Sequence, residues 1–253
     1  MNGSKLHQSI KDRLLLDMAF DSNLSQIVVI IPTLNEESSI GKLIDGIVSL
    51  DENVSILIVD DSSDDSTAKN VEFKMREHSA KIELIVRERV GGIAGAYLAG
   101  YKWALVNGYE TIVQMDADGQ HDFRQIPMLI KQSANSHMVI GSRYLTSSNL
   151  HGWSKFRIAL SLGANMYFRL LHNVQIRDAT SGMRCFRVSA LHEAWIVPPI
   201  SKGFCFHAET THRFNKLGFG ITEVAIDFFP RNSGKSKMNL LRTLESLRLF
   251  PRF

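Results

Sequence analysis

The 253-residue sequence predicts an α/β protein built on a mostly parallel sheet. Three observations carry that expectation. Short β-branched runs alternate with helical stripes along the first half of the chain, as βαβ units require. Polar, acidic loops follow three of those runs, where the ligands of such sheets bind. Apolar residues make up 44% and charged residues 22%, enough for a sizeable core and against wholesale disorder.

The elements follow in order. Residues 1–26 are polar, with one short helical pattern at Ile10, Leu14 and Met18, and read as an appendage. Ile27–Ile31 (IVVII) is continuous and apolar, which suits a strand covered on both faces. Ile40, Leu43, Ile44, Ile47 and Val48 then recur at i, i+3, i+4, i+7 and i+8, one face of a helix. Val54–Val59 is a second buried strand, followed by a Ser/Asp loop and a helix over Ser66–Ser79. Lys81–Val86 is a third, followed by glycines and a helix carrying Ile93, Tyr97, Tyr101 and Ala104. Glu110–Met115 is the fourth. No stretch reaches the ~18 consecutive apolar residues of a membrane-spanning helix, and no secretory signal is evident. Two cysteines, Cys185 and Cys205, read as reduced core thiols in a cytosolic setting.

Charge is divided unevenly. The net charge is +3, yet 142–187 and 231–253 carry surpluses of six and five cations, leaving −8 elsewhere. A cation on the acidic side and anionic groups on the basic side would satisfy both.

Three loops carry the chemistry: PTLNEE after the first strand, DDSSDDS after the second and DADGQHD after the fourth. Asp116 and Asp118, flanking one residue at a strand end, can both turn toward a hard cation, with the Gln120 amide oxygen as a third ligand. Mg²⁺ characteristically takes one or two carboxylates plus substrate phosphates. An Asx-turn explains a lone D-x-D equally well; two further polar loops on the same rim favour the site. In IVDDSSDDST, Asp65 or Ser66 caps the next helix, while Asp60 and Asp61 are placed to hydrogen-bond a base or ribose. A phospho-accepting receiver would leave DADGQH and the basic half unexplained. A dinucleotide dehydrogenase fails because no G-x-G-x-x-G follows any strand; the glycines of Gly91–Gly95 suit a tight turn and close packing.

Taken together, IIPTLNEE, IVDDSSDDST, MDADGQH, IGSRY, RDATSGMRCFR, GFCFHAE and FFPRNSGKSKM stand in the order found in family 2 glycosyltransferases. Within that family they most resemble dolichol-phosphate or polyprenol-phosphate mannosyl synthases, over about Ile27–Met238. The resemblance implies a GT-A nucleotide-diphospho-sugar transferase domain over 27–238, with 239–253 as a basic C-terminal tail. It also implies a GDP-mannose-like donor, a Mg²⁺ or Mn²⁺ ion, a polyprenyl-phosphate acceptor at a membrane surface on the cytoplasmic side, and a membrane-anchoring protein partner in some relatives. No nucleic-acid partner is expected. By position, Pro32, Leu34, Asn35 and Glu36 would line the nucleotide pocket, with Val59 and Asp61 near base and ribose. Asp116, Asp118 and Gln120 would surround the metal and diphosphate, with Ala117 alongside. Arg231 and Lys237 would close over the diphosphate, and Arg143, Arg157 and Ser161 would hold the acceptor phosphate. The departures are Gly119 and Phe123, where the family more often has leucine and proline, and a missing glycine pair after IGSRY.

The acceptor has its own argument. A sugar hydroxyl needs a carboxylate base, and the E-D pair and Q-x-x-R-W motif of processive relatives are absent. A phosphate monoester, with its second pKa near ~6, is already anionic at neutral pH and needs cations instead. Glu209 reads as structural rather than sugar-contacting, and Asp178–Gly182 as a turn. The stripe Phe156, Leu160, Met166 and Leu170 reads either as core or as an interfacial face, with Lys155, Arg157 and Arg169 near lipid phosphates. The sequence therefore predicts an inverting, metal-dependent transfer of a hexose, mannose first, to a polyprenyl phosphate. UDP-glucose as donor and a non-catalytic nucleotide-sugar-binding regulator are the alternatives.

Overall fold

Val28, Val29, Ile30 and Ile31 are fully buried, and their alternation divides them between two cores. Val28 and Ile30 join Leu57 and Val59 on one face; Val29 and Ile31 join Ile56 and Ile58 on the other. Each such side chain contributes roughly 1.5–3 kcal/mol through burial, so only a sheet covered by helices on both faces accounts for the run. The computed structural model describes residues 26–50, 53–78, 81–88, 92–146, 150, 152–201, 203, 205–231 and 248–253.

Within these residues, β1 (Ile27–Thr33), β2 (Val54–Asp60), β3 (Ile82–Val86) and β4 (Thr111–Gln114) form the parallel half of the sheet. Helix α1 (Ile40–Val48) buries Ile40, Leu43, Ile44 and Ile47 of the stripe read from the sequence, with Val48 partly buried beside them. Helices α2 (Thr67–Glu77) and α3 (Gly92–Val106) complete these units, and Tyr97, Tyr101 and Ala104 of α3 are buried as expected. A 3₁₀ turn (Phe123–Gln125) and α4 (Ile126–Ser133) lead to β5 (Met138–Ser142). Then come α5 (Lys155–His172), β6 (Arg184–Arg187), α6 (Val188–Ala194), α7 (Cys205–Lys216) and β7 (Ile221–Ala225). Both cysteines are free and buried.

The strand order is β3-β2-β1-β4-β6-β5-β7. Its informative feature is β6, antiparallel to both β4 and β5. Because β6 runs backward, its entry loop meets the exits of β4 and β5, and β7 lies parallel to β5. One rim therefore receives 33–39, 60–66, 116–122, 143–146 and 226–231 from strand ends, and 178–183 from the start of β6. That convergence positions the site.

Residues 1–25, and thus nearly all of the expected appendage, lie outside the described residues, as do 232–247. The end of the expected tail, 248–253, packs on the domain: Phe250 is 1% exposed, against Phe168 and Tyr167 of α5. No described helix is long and apolar enough to cross a membrane.

Candidate active site

The β1 and β2 loops are stitched to one another. Asp60 accepts from Thr33 Oγ1 at 2.8 Å and from Ser63 N and Oγ at 2.9 and 2.5 Å, so its carboxylate is consumed inside the loop. The expectation that Asp60 contacts a base or ribose is thereby corrected: it is a buried pin. Asn35, with φ 58°, donates its amide to Ser63 Oγ at 2.9 Å and accepts from Asp64 N at 3.1 Å. Glu36 is buried, donates its amide to Thr67 Oγ1 at 2.9 Å and accepts from Ser39 Oγ at 3.3 Å. Asp65, not Ser66, satisfies the start of α2, accepting from Thr67 N at 2.9 Å. Pro32 pairs in register with Val59, whose side chain is buried in the core and whose strand is paired on both sides. Leu34 is half-buried beside them. Asp61 accepts from Arg87 Nη1 at 2.6 Å and from Gly92 N, at the start of α3, at 3.0 Å.

At the end of β4 the crowded carboxylates separate. Asp122 turns away as the cap of the 3₁₀ turn, held by Arg124 at 2.7–3.0 Å. Asp116 and Asp118 stay at the rim, with Ala117 buried in the core between them. Tyr97 Oη donates to Asp116 Oδ1 at 3.2 Å. Burial, then the charge of Asp116, raises the Asp118 pKa above its ordinary value, while His121 and Arg231 oppose the rise. A neighbouring positive charge therefore stabilises the ionised pair. Arg231, arriving from β7, supplies one: its Nη2 stands 2.6 Å from Asp118 Oδ2. Two hard oxygen donors at a desolvated rim, drawing in a guanidinium, suit a divalent cation. Gln120 donates its side-chain amide to Phe229 O at 3.2 Å, which leaves its Oε1 for a ligand. A second cluster, Asp45, Glu77 and His78 at the surface, already holds its own cation, Lys74, at 2.9 and 2.7 Å.

Gly182, from the β6 entry loop, lies under this pair; a Cβ there would come within 2.9 Å of Asp116 Oδ2. Four residues earlier, Asp178 is fully buried and takes Arg143 in a bidentate grip. Arg143 Nε and Nη2 donate to its two oxygens at 2.7 Å, and Arg143 N adds a third bond at 2.9 Å. Burial alone would lower the Arg143 pKa; Asp178, with Asp116 further off, lifts it above normal. Burial would likewise raise the Asp178 pKa, and Arg143 brings it below the carboxylate range. Arg143 is therefore a buried, committed cation beside the acids.

Arg157 and Ser161 lie on α5. Arg157 is half-buried, and Ser161 Oγ accepts from Tyr144 Oη at 2.6 Å. Arg157 has its pKa lowered by burial and by the charges of Arg143 and Arg231, and its guanidinium lies against the same Trp153 ring as that of Arg143. Lys237 lies outside the described residues. Glu209 is buried and accepts from Ile200 N, Ser201 N and Arg213, at 2.7–3.1 Å. It is structural, as expected.

Several residues around the site were not read as part of it from the sequence. His121 is buried and accepts from Asp116 N at 3.1 Å; burial holds its pKa down at about 4, so the ring is neutral. Phe228 packs edge-on to His121 at 5.2 Å and lies 5.4 Å from the Arg143 guanidinium. Tyr97, Asp178 and Trp153 belong with them. The histidine inside DADGQHD was the one accessible clue.

The family described as glycosyl transferase family 2 matches residues 28–195. A polyprenol monophosphomannose synthase from Mycolicibacterium smegmatis is 36% identical over 84% of this chain and 80% of its own. An undecaprenyl-phosphate mannosyltransferase from Micrococcus luteus is 34% identical over 85% and 88%. Among solved structures, glucosyl-3-phosphoglycerate synthase from Mycobacterium tuberculosis, in complex with Mn²⁺, UDP and glucosyl-3-phosphoglycerate, superposes with a TM-score of 0.63 at 18% identity, over 89% of this chain and 77% of that one. A mannosyltransferase from Pyrobaculum calidifontis, with GDP-Man and Mn²⁺, gives 0.60 at 18% identity, over 85% and 59%.

Proposed function

The chain belongs to glycosyl transferase family 2 and has the GT-A fold, and from there we propose that it transfers mannose from GDP-mannose to a polyprenyl phosphate with inversion. The observation that carries the acceptor is the supply of cations where a base would otherwise stand. Arg231 stands against Asp118, and Arg143 and Arg157 both lie against the Trp153 ring, whereas Glu209 and Asp178 are both spent on arginines. A phosphate monoester needs no deprotonation and is positioned by such charges.

In this reading one phosphate oxygen of the lipid attacks the anomeric carbon from the face opposite the diphosphate. The bond from that carbon to the diphosphate breaks, and the nucleoside diphosphate leaves with the electron pair. Asp116 and Asp118, with Gln120 Oε1, would hold a divalent ion whose role is to neutralise the leaving diphosphate. Arg231 exchanges Asp118 for the diphosphate as the donor enters, and Lys237 is assigned to the same closure. Pro32, Leu34, Asn35, Glu36 and Asp61 shape the nucleotide side, as much by fixing the loops as by touching the ligand. Arg157 and Ser161 hold the acceptor phosphate; Arg143 contributes its field from below.

The outer face of α5 is assigned to the membrane surface. Phe156 and Leu170 are 73% and 77% exposed, and Leu162, Met166, Tyr167 and Leu171 are exposed with them. Lys155, Arg157 and Arg169 accompany this stripe, the composition of a helix lying in an interface.

The test incubates the purified protein with a short polyprenyl phosphate and a panel of labelled nucleotide sugars. Label from GDP-mannose in an organic-extractable, acid-labile product is expected. Transfer from UDP-glucose instead would replace the donor, and no transfer from any donor would leave a binding protein.

A further inference from the structure

Arg157 is placed where a cation is costly. It occupies the first turn of α5, its amide donating to the Ser154 cap at 3.3 Å, at the helix end whose dipole repels positive charge. It is half-buried, it shares the Trp153 ring with Arg143, and its guanidinium has no hydrogen-bond or ion-pair partner among the described residues. What it has is an aromatic face: the guanidinium carbon lies 3.8 Å from the centre of the Trp153 ring.

Trp153 is itself fixed from several sides. Its ring meets Phe228 edge-on at 5.7 Å and lies 5.7 Å from the Arg143 guanidinium. The preceding Gly152 has φ +73°, and a Cβ on it would come within 2.8 Å of Pro230 Cγ. The turn before α5 is thus pressed against the segment that carries Phe228 and Arg231. Ring and guanidinium stack in a way that leaves the hydrogen-bonding edge of Arg157 uncommitted, because a cation–π contact uses the face and not the N–H groups.

We infer that Trp153 is a positioning residue for the acceptor: it holds Arg157 oriented, with its donors vacant, for the anionic head of the lipid phosphate. The inference rests on the acceptor assignment made above and adds to it the residue that makes Arg157 competent. It differs from a packing role in one respect. Trp153 should matter only through Arg157.

The experiment measures binding of geranyl phosphate, and of geraniol as the phosphate-free control, by titration calorimetry. It compares the full-length protein with Trp153→Leu, Trp153→Phe, Arg157→Ala and the Trp153→Leu/Arg157→Ala pair. Trp153→Leu is expected to weaken geranyl phosphate about tenfold, or about 1.4 kcal/mol, while Trp153→Phe, which keeps an aromatic face, stays within about twofold of wild type. Geraniol binding should not change in any variant, and the double variant should bind geranyl phosphate as Arg157→Ala does. Additive losses in the double variant, equal losses for Leu and Phe, or parallel loss of geraniol would overturn the inference. If Arg157→Ala loses geranyl phosphate but Trp153→Leu does not, the role of Trp153 alone fails. If Arg157→Ala itself leaves geranyl phosphate unaffected, the acceptor assignment falls, and this inference with it.

Discussion

The donor rim and α5 are built by opposite rules. On the rim, almost every polar group has a partner inside the chain: Asp60 with Thr33 and Ser63, Asp61 with Arg87, Asp118 with Arg231, Asp178 with Arg143. On α5, only Asn165 and Phe168 are buried, and large apolar side chains stand in solvent. The difference teaches what each side is prepared to meet. Desolvated carboxylates without counter-charge are destabilising, so Asp118 and Asp178 each hold an arginine. Exposed apolar area of this extent is uncommon on a free surface and marks a contact still to be made.

The sharpest way to break the comparison is at the acids. Asp118→Asn is expected to lower turnover by about 10²–10³-fold, since it removes charge that the transferring site depends on. Near-wild-type turnover would remove the metal argument. Its counterpart, Arg231→Met, should move two quantities in opposite directions. Mn²⁺ binding to the free protein, followed by electron paramagnetic resonance, should tighten about tenfold as a competing charge-assisted contact disappears, while turnover falls. Weaker Mn²⁺ binding would mean that Arg231 does not compete for Asp118.

Next in size is the buried pair. Asp178→Asn strands Arg143 without its counter-ion, a change that costs about 3–5 kcal/mol, and the melting temperature should fall by about 10 °C. A melting curve unchanged within error would show that Arg143 finds another partner. Smallest is the exposed helix. Phe156→Ser with Leu170→Ser should reduce binding to vesicles containing anionic lipid about tenfold, with stability altered by no more than about 0.5 kcal/mol per site. Vesicle binding that survives both changes would separate α5 from the membrane.

Much of this was legible in the residues themselves. The first four strands and three helices were visible because burial on both sheet faces writes a continuous apolar run, and a half-buried helix writes a stripe. The acidic loops were visible because three of them end strands of one sheet. The stripe on α5 was left between core and interface, and its accessibility decides against core. The antiparallel β6 and the strands beside it were not visible, since a four-residue segment such as Arg184–Arg187 leaves too short a pattern. Asp178 does begin the expected turn, but its ion pair was not visible because the partner, Arg143, is 35 residues away.

By itself, then, the sequence determined the parallel half of the sheet, the rim that its polar loops share, and the place of Asp116 and Asp118 at the end of the fourth strand. The folded chain alone decided which charges are spent and which are presented: Asp60, Asp178 and Glu209 turned inward, Arg143 locked to Asp178, Arg157 laid on Trp153. The physical reason is that partners at a charged site are chosen by proximity after the strands have paired, and antiparallel β6 brings together residues whose separation along the chain carries no periodic signal.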